Sequence, residues 1–149
     1  MQAADLVGRK MPVRDGKSFL EYIASLREVL LELQAAGGDL AVVGTKVGAS
    51  IDLLEQVTGW MLGTGARGDA ASVLSGSVAY LDLWGHVLGG WLLAKSALAA
   101  AGLGDADDAA EQLAVARFFA SQLLPKTSSL AAQATAGAAD VFSLPLAQL

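Results

Sequence analysis

Few side chains in this sequence are suited to chemistry, and most of them lie near its middle. His86 is the only imidazole, and Asp82 precedes it by one helical turn, so the two side chains could hydrogen-bond on one helix face. Di-iron bundles use two Glu-x-x-His motifs, which one histidine cannot supply. We therefore expect no metal site. His86 is interpreted as solvated or locally paired, with contact to a ligand as the alternative.

Two carboxylates and two serines are the remaining candidates for catalysis. Glu55 and Asp82 fall within otherwise apolar helical segments and could face each other. Paired carboxylates do acid–base work when burial separates their pKa values, but at the edge of an apolar stripe they are simply hydrated. Ser128 and Ser129 have no base nearby and are predicted to form a turn or cap. The sequence therefore predicts no catalytic residue.

Three aromatic residues at helical spacing define a further candidate. Tyr80, Trp84 and Trp91 could line a ligand box, and Trp60 could meet them from another helix. Aromatic residues at this spacing are more often core, and we interpret them so. If they are buried, their polar ends should find hydrogen-bond partners.

The glycine-rich segment 63–68, read as GTGARG, is the clearest break in the chain. A Walker loop requires Gly-Lys-Ser/Thr after four spacer residues, and a dinucleotide-binding loop requires a preceding strand. Neither is present, so the segment is predicted to be an ordinary loop.

Composition and charge exclude several classes of protein. The chain is 54% hydrophobic but only 6% aromatic, a balance that suits helices packed on helices. With a net charge of -5 and scattered cations, it offers no basic stripe for nucleic acid. The absence of cysteine excludes disulfides and thiolate metal sites. We expect a cytoplasmic location, no signal peptide and no membrane span, and we interpret the apolar segment 87–103 as a buried helix.

Helical periodicity predicts an all-α fold. The predicted helices cover residues 16–36, 39–62 and 69–102, and a fourth begins near residue 105, kinks or breaks at Pro125 and resumes to about 140. Asp15 and Asp69 are predicted to be helix caps. Because the connections are short, we expect an up-down-up-down four-helix bundle. Residues 1–14 are assigned to a lead-in, 15–140 to the bundle and 141–149 to an apolar tail.

Two glycine pairs are predicted to let helices approach closely. Gly44 and Gly48 lie one turn apart in the second predicted helix, and Gly85 and Gly89 repeat that spacing in the third. Replacing Gly85 or Gly89 with leucine is expected to separate these two helices. The third helix is predicted to bury a near-heptad seam that runs from Val73 to Leu98.

Several segments carry a resemblance to the acyl-CoA dehydrogenases. Residues 3–12, AADLVGRKMP, resemble the helix that closes the catalytic core of that family and follows a Gly-Thr-x-x-Ile-Gln motif beside the flavin. Gln2 matches the glutamine of that motif, and Met1 stands where isoleucine is usual. Residues 80–91 and 116–125 are similar to a helical domain appended in one subgroup, which includes the 3-methylmercaptopropionyl-CoA dehydrogenases.

The resemblance implies that the chain is a C-terminal accessory domain, with a structural, cleft-covering or oligomer-shaping role. The implied full-length enzyme oxidises an acyl-CoA thioester between Cα and Cβ with FAD, using a glutamate upstream of Met1. Gln2 is then the one cofactor-side residue in this chain, and the upstream core is its partner. Two alternatives remain open: a stand-alone interaction or assembly bundle without catalysis, and a bundle that binds a small ligand through its tryptophans.

Overall fold

The computed structural model describes residues 2–141 and 143. Within these residues all regular structure is helical, which confirms the all-α prediction. A short α1 (Gln2–Asp5), a π-helix (Leu6–Lys10) and a 3-10 helix (Val13–Gly16) lead into the body of the fold. The body consists of α2 (Lys17–Leu26), α3 (Glu28–Ala36), α4 (Gly38–Ala66), α5 (Ala70–Ser75), α6 (Ser77–Leu103), α7 (Ala106–Gln122) and α8 (Lys126–Ala134).

The two longest helices, α4 and α6, pack against each other at the centre. Helix α3 packs on α4, whereas α7 and α8 pack mainly on α6. The core is aliphatic, and its largest fully buried side chains include Tyr80, Ile51, Leu54 and Leu83. Burial of these apolar stripes supplies the main driving force for folding.

Aspartate caps fix the starts of two helices. The Asp69 carboxylate accepts a hydrogen bond from the Ser72 amide at 3.0 Å, which confirms the predicted cap. Asp105 caps α7 by accepting from the amides of Asp107 and Asp108. Each bond satisfies an amide that the helix itself leaves without a partner.

The predicted cap at Asp15 is wrong. Asp15 has φ 55°, and α2 begins after Gly16 without a side-chain cap. Arg14 and Gly16 also have positive φ, so three successive residues form a left-handed turn between the lead-in and the bundle. This conformation costs roughly 1–2 kcal/mol at each non-glycine residue.

Two predicted helices are divided in the structure. The predicted helix over 16–36 is interrupted at Arg27, where α2 ends and α3 begins. The predicted helix over 69–102 is interrupted at Gly76, between α5 and α6. A Cβ atom at Gly76 would overlap the Ala134 carbonyl group of α8, so the close approach of α8 requires glycine at this break.

The predicted loop over 63–68 is largely wrong, because α4 continues through Ala66. Thr64 is buried, and its hydroxyl accepts a hydrogen bond from Arg67 Nη2 at 3.0 Å. Tertiary packing of this last turn outweighs the low helix propensity of Gly63 and Gly65.

The first glycine pair behaves as predicted and the second does not. Cβ atoms at Gly44 and Gly48 would lie 2.9 Å from Leu33 and 3.3 Å from Leu30, so α3 approaches α4 closely there. Gly85 faces open space, whereas Gly89 faces the ring of Phe119 in α7. The expectation that Gly85 and Gly89 space the second and third predicted helices is therefore wrong.

The buried face of α6 changes character along the helix. Its first half follows the predicted seam, with Tyr80, Trp84 and Val87 buried. Its second half buries Gly90 and three alanines, Ala94, Ala97 and Ala100, instead of the predicted Trp91 and Leu98, which are half-buried. The small residues let α7 and the 123–125 turn come close, as the contact of Leu124 with Gly90 shows.

Helix α6 is also long and apolar enough to be a candidate membrane span by length and composition alone. Its contacts with α3, α4, α7 and α8 favour the interpretation as a packed helix of the bundle, although only 28% of its most apolar window is buried. The lead-in joins the same core, since Ala3, Val7 and Met11 are buried. Most of the predicted apolar tail, residues 142 and 144–149, lies outside the described residues.

Candidate functional site

The predicted carboxylate pair is not formed. Glu55 accepts a hydrogen bond from Arg27 at 2.6 Å, and the same guanidinium bonds Asp52 at 2.6 Å. Asp82 is exposed on α6. The hydrogen bond with Asp52 raises the pKa of Arg27, and Glu55 adds to this effect against the opposing effect of burial. The three residues therefore form an ion-pair network between the α2–α3 junction and α4, with no acid–base geometry.

His86 is locally paired, but not with the predicted group. Its Nδ1 atom lies 2.9 Å from the carbonyl oxygen of Asp82, not from the carboxylate. Because a carbonyl oxygen only accepts, Nδ1 carries the proton in this bond. No group of three or more candidate metal ligands occurs in the part of the chain that the structure describes.

The two serines have no catalytic surroundings. Ser128 and Ser129 are exposed near the start of α8, and Ser129 Oγ accepts a hydrogen bond from Gln133 Nε2 at 3.2 Å. They belong to the helix that resumes after Pro125.

Trp84 is the centre of an aromatic cluster. Its ring lies 5.8 Å from Phe19 and 6.3 Å from Tyr80 in edge-to-face geometry, and Tyr22 stacks on it at 6.1 Å. The predicted box is wrong in its membership, because Trp91 lies apart beneath the ammonium group of Lys95. No ring pair joins Trp60 to this cluster among the described residues.

The polar ends of the buried aromatics are only partly satisfied. The Tyr80 hydroxyl lies 2.8 Å from Thr58 Oγ1 in the core. Burial raises the pKa of Tyr80, and the hydrogen bond with Thr58 and the nearby Trp84 indole oppose that rise. Trp91 Nε1 donates to the Leu26 carbonyl at 2.9 Å. Trp84 Nε1 is buried, and no atom of the described residues accepts a well-aligned hydrogen bond from it.

The aromatic cluster forms one wall of an open groove of about 390 Å³, which we call the aromatic groove. It is lined by three leucines, three aromatic side chains and one serine: Leu6, Leu81, Leu88, Phe19, Tyr22, Trp84 and Ser18. With no charge or imidazole in its lining, the groove is suited to holding apolar groups and not to catalysis. Composition alone did not reveal Phe19 and Tyr22, although their i, i+3 spacing places both on one face of α2.

Two further cavities lie elsewhere on the surface. One, of about 610 Å³, separates the lead-in from the end of α4 and from α5, and Asp15 is the one charged residue in its lining. The other, of about 410 Å³, lies between α4 and α7 beside Phe118. There Arg117 pairs with Asp39 at 2.8 Å, and Lys46 adds a second cation to the lining.

Gln2 is the one residue for which a contact with a cofactor was predicted. Gln2 is exposed at the first position of α1 and makes no hydrogen bond to another described side chain. The cavities next to the lead-in and the aromatic cluster are lined mainly by apolar side chains. The prediction that Gln2 contacts a cofactor stays a prediction.

Comparison with known proteins gives two matches. A family model described as "Acetyl-CoA dehydrogenase C-terminal like" matches residues 17–145 and begins at the first residue of α2. The 3-methylmercaptopropionyl-CoA dehydrogenase of Ruegeria pomeroyi is 33% identical over 137 residues, which cover 87% of this chain and 22% of that protein. The chain therefore spans about a fifth of the length of this relative. No solved structure matches.

Proposed function

This chain belongs to the family of C-terminal domains of acyl-CoA dehydrogenases, and on that basis we propose that it is the accessory domain of a longer flavin-dependent enzyme. That enzyme oxidises an acyl-CoA thioester between Cα and Cβ. The observation that carries the proposal is the family match over residues 17–145, to which the relative's name adds the class of substrate.

The chemistry in this proposal belongs to residues outside the chain. In the full-length enzyme, FAD would supply the hydride acceptor, and the implied catalytic glutamate lies ahead of the lead-in. Among the described residues no carboxylate is buried, so no catalytic step is assigned to them. The isolated chain is proposed to be inactive.

The proposed role of the domain is structural: it covers part of the cleft region or shapes the oligomer. We assign residues 1–14 to the end of the core, 15–140 to the bundle and 141–149 to a tail, in a cytoplasmic enzyme.

The predicted up-down-up-down arrangement is part of the same proposal. Contacts of Arg27 with Asp52 and of Gln34 with Thr45 support an antiparallel pair of α3 and α4. A contact of Ser96 with Gln112 and the position of Phe119 at Gly89 support the same relation between α6 and α7. The fourth helix of this arrangement is divided at residues 123–125, between α7 and α8.

Expression of the complete gene product tests the proposed enzyme. The purified protein is expected to show a flavin spectrum and to reduce an electron-acceptor dye when given acyl-CoA thioesters, with 3-methylmercaptopropionyl-CoA and butanoyl-CoA in the panel. The 149-residue chain, purified alone, serves as the control and is expected to show neither property. A gene that lacks upstream dehydrogenase sequence would refute the proposal.

The accessory role has a separate test. A full-length protein truncated after residue 14 is expected to retain bound flavin, while its oligomeric mass or its KM for acyl-CoA changes. Unchanged mass and kinetics would contradict a cleft-covering or oligomer-shaping role.

A further inference from the structure

We propose that the aromatic groove is the surface on which the preceding catalytic core of the same polypeptide docks, through an apolar segment of that core. This inference rests on the proposed function, which supplies the catalytic core. It adds that the core covers the face of the domain that carries the aromatic groove.

The aromatic groove lies next to the point at which the preceding core is attached. Leu6 lines the groove and follows Gln2 by four residues, roughly 6 Å along a helix. The lead-in is held firmly, because Ala3 and Val7 are buried and α1 packs on α6. A folded core joined ahead of α1 is therefore held beside this groove by a docked helix and not by a loose linker.

The lining of the groove is largely aromatic and apolar. Three aromatic rings meet in the groove, and Tyr22 remains 48% exposed although it stacks on Trp84. Aromatic side chains that expose a rigid apolar face are typical anchors of protein interfaces. Besides the phenol of Tyr22, the polar group in the lining is the hydroxyl of Ser18, which lies at the exposed end of α2.

The small size of the groove favours a tethered occupant. Stable association of two free proteins buries about 1,200–2,000 Å² in total. Six side chains, most of them at least half-buried, expose much less than one partner's share of that area. A covalently attached partner is present at a high effective concentration, so a small apolar groove is sufficient to hold it. This favours the tethered core over a second copy of the chain.

The test uses the absence of cysteine from this chain. Ser18→Cys places a near-isosteric thiol at the groove, and Ser96→Cys places one on the exposed side of α6 as the matched control. Each variant is prepared as the 149-residue chain and as the full-length protein. A thiol reagent is added, and the labelled peptide is quantified by mass spectrometry.

Labelling at position 18 is expected to be at least about 10-fold slower in the full-length protein than in the 149-residue chain, as for a site exposed only by local opening. Labelling at position 96 is expected to differ little between the two forms. Equal rates at position 18 in an active, flavin-containing full-length protein would overturn the docking inference and leave the proposed function standing. A gene without a dehydrogenase core would overturn both.

A second measurement distinguishes the tethered core from a second copy of the chain as the occupant of the groove. Tyr22→Glu is expected to lower the melting temperature of the full-length protein more than that of the 149-residue chain, whereas Phe118→Glu, exposed in α7 beside the cavity between α4 and α7, should affect both forms alike. If position 18 is instead protected in the 149-residue chain in proportion to its concentration, a second copy fills the groove and the inference is wrong.

Discussion

Gly76 is the position where a single methyl group should have the largest effect on stability. Its φ of -84° suits any residue, so alanine there would ordinarily stabilise the protein by about 0.4–1 kcal/mol through the unfolded chain. The added Cβ, however, would overlap the carbonyl oxygen of Ala134 and lie 2.9 Å from both the carbonyl carbon and Met61 Cε.

The expected cost follows from these distances. Carbon atoms in contact prefer about 3.5–4.0 Å, so α8 must move by roughly 0.6 Å or more to admit the methyl group. Overpacking of this kind costs about 1–3 kcal/mol. For a chain of this size, each kcal/mol lowers the melting temperature by about 2–4 °C. Gly76→Ala should therefore lower the melting temperature by several degrees.

Gly85→Ala is the matched control. Gly85 lies in α6, and a Cβ atom there would meet nothing within 4 Å. With no clash, the gain in helix propensity is about 1 kcal/mol, and the melting temperature should rise. Thermal unfolding followed by circular dichroism measures both variants. Equal shifts, or stabilisation by Gly76→Ala, would refute the reasoning that α8 packs on the α5–α6 break.

Three further predictions concern polar groups. Tyr80→Phe removes the hydroxyl that bonds Thr58 and should cost about 0.5–1.5 kcal/mol in urea unfolding at neutral pH. Because the pKa of Tyr80 is raised above 10.0 in the folded protein, its contribution to stability should be fully present below pH 10 and be lost at higher pH. Tyr80→Phe should flatten that fall. Equal dependence of the unfolding free energy on pH in the two proteins would contradict the prediction. Arg27→Met breaks the bonds to Asp52 and Glu55, and its destabilisation, about 1 kcal/mol or less, should shrink in 1 M salt; a salt-independent loss would implicate packing instead. The pKa of Asp69 is lowered by the Ser72 amide, so the stability that its charge contributes is present above pH 3.8 and lost below it; Asp69→Asn should remove this acid sensitivity, and an unchanged acid titration of the melting temperature would contradict the cap.

Local signals in the sequence predicted much of the fold. The all-α class follows from helical periodicity and low strand propensity, and the cap at Asp69 follows from a side chain that reaches an amide within its own turn. Glycines at 37 and 104 end helices in the conformations that favour glycine. These features involve residues within four positions of each other, so neighbouring chain alone is enough to specify them.

Several of the errors involve contacts between residues distant in sequence, whereas the cap at Asp15 failed locally because Asp15 has a positive φ. The break at Gly76 depends on Ala134, and the helical state of 63–66 depends on a buried turn. The pairing of Glu55 with Arg27 instead of Asp82 depends on how α3 packs on α4. The aromatic box was misjudged for the same reason, since Phe19 and Tyr22 meet Trp84 across more than sixty residues of chain.

The sequence by itself determined the helical class, the cap at Asp69 and, through residues 80–91, a resemblance that the family match over residues 17–145 bears out. Periodicity and capping are local, and a family resemblance needs no coordinates. Only the tertiary structure decided which face of α6 is buried and which neighbouring helix packs closely at each glycine. It also decided that Trp84 forms a groove with α2. Those outcomes depend on packing between helices, where shape complementarity among distant side chains selects one arrangement from many that share the same periodicity.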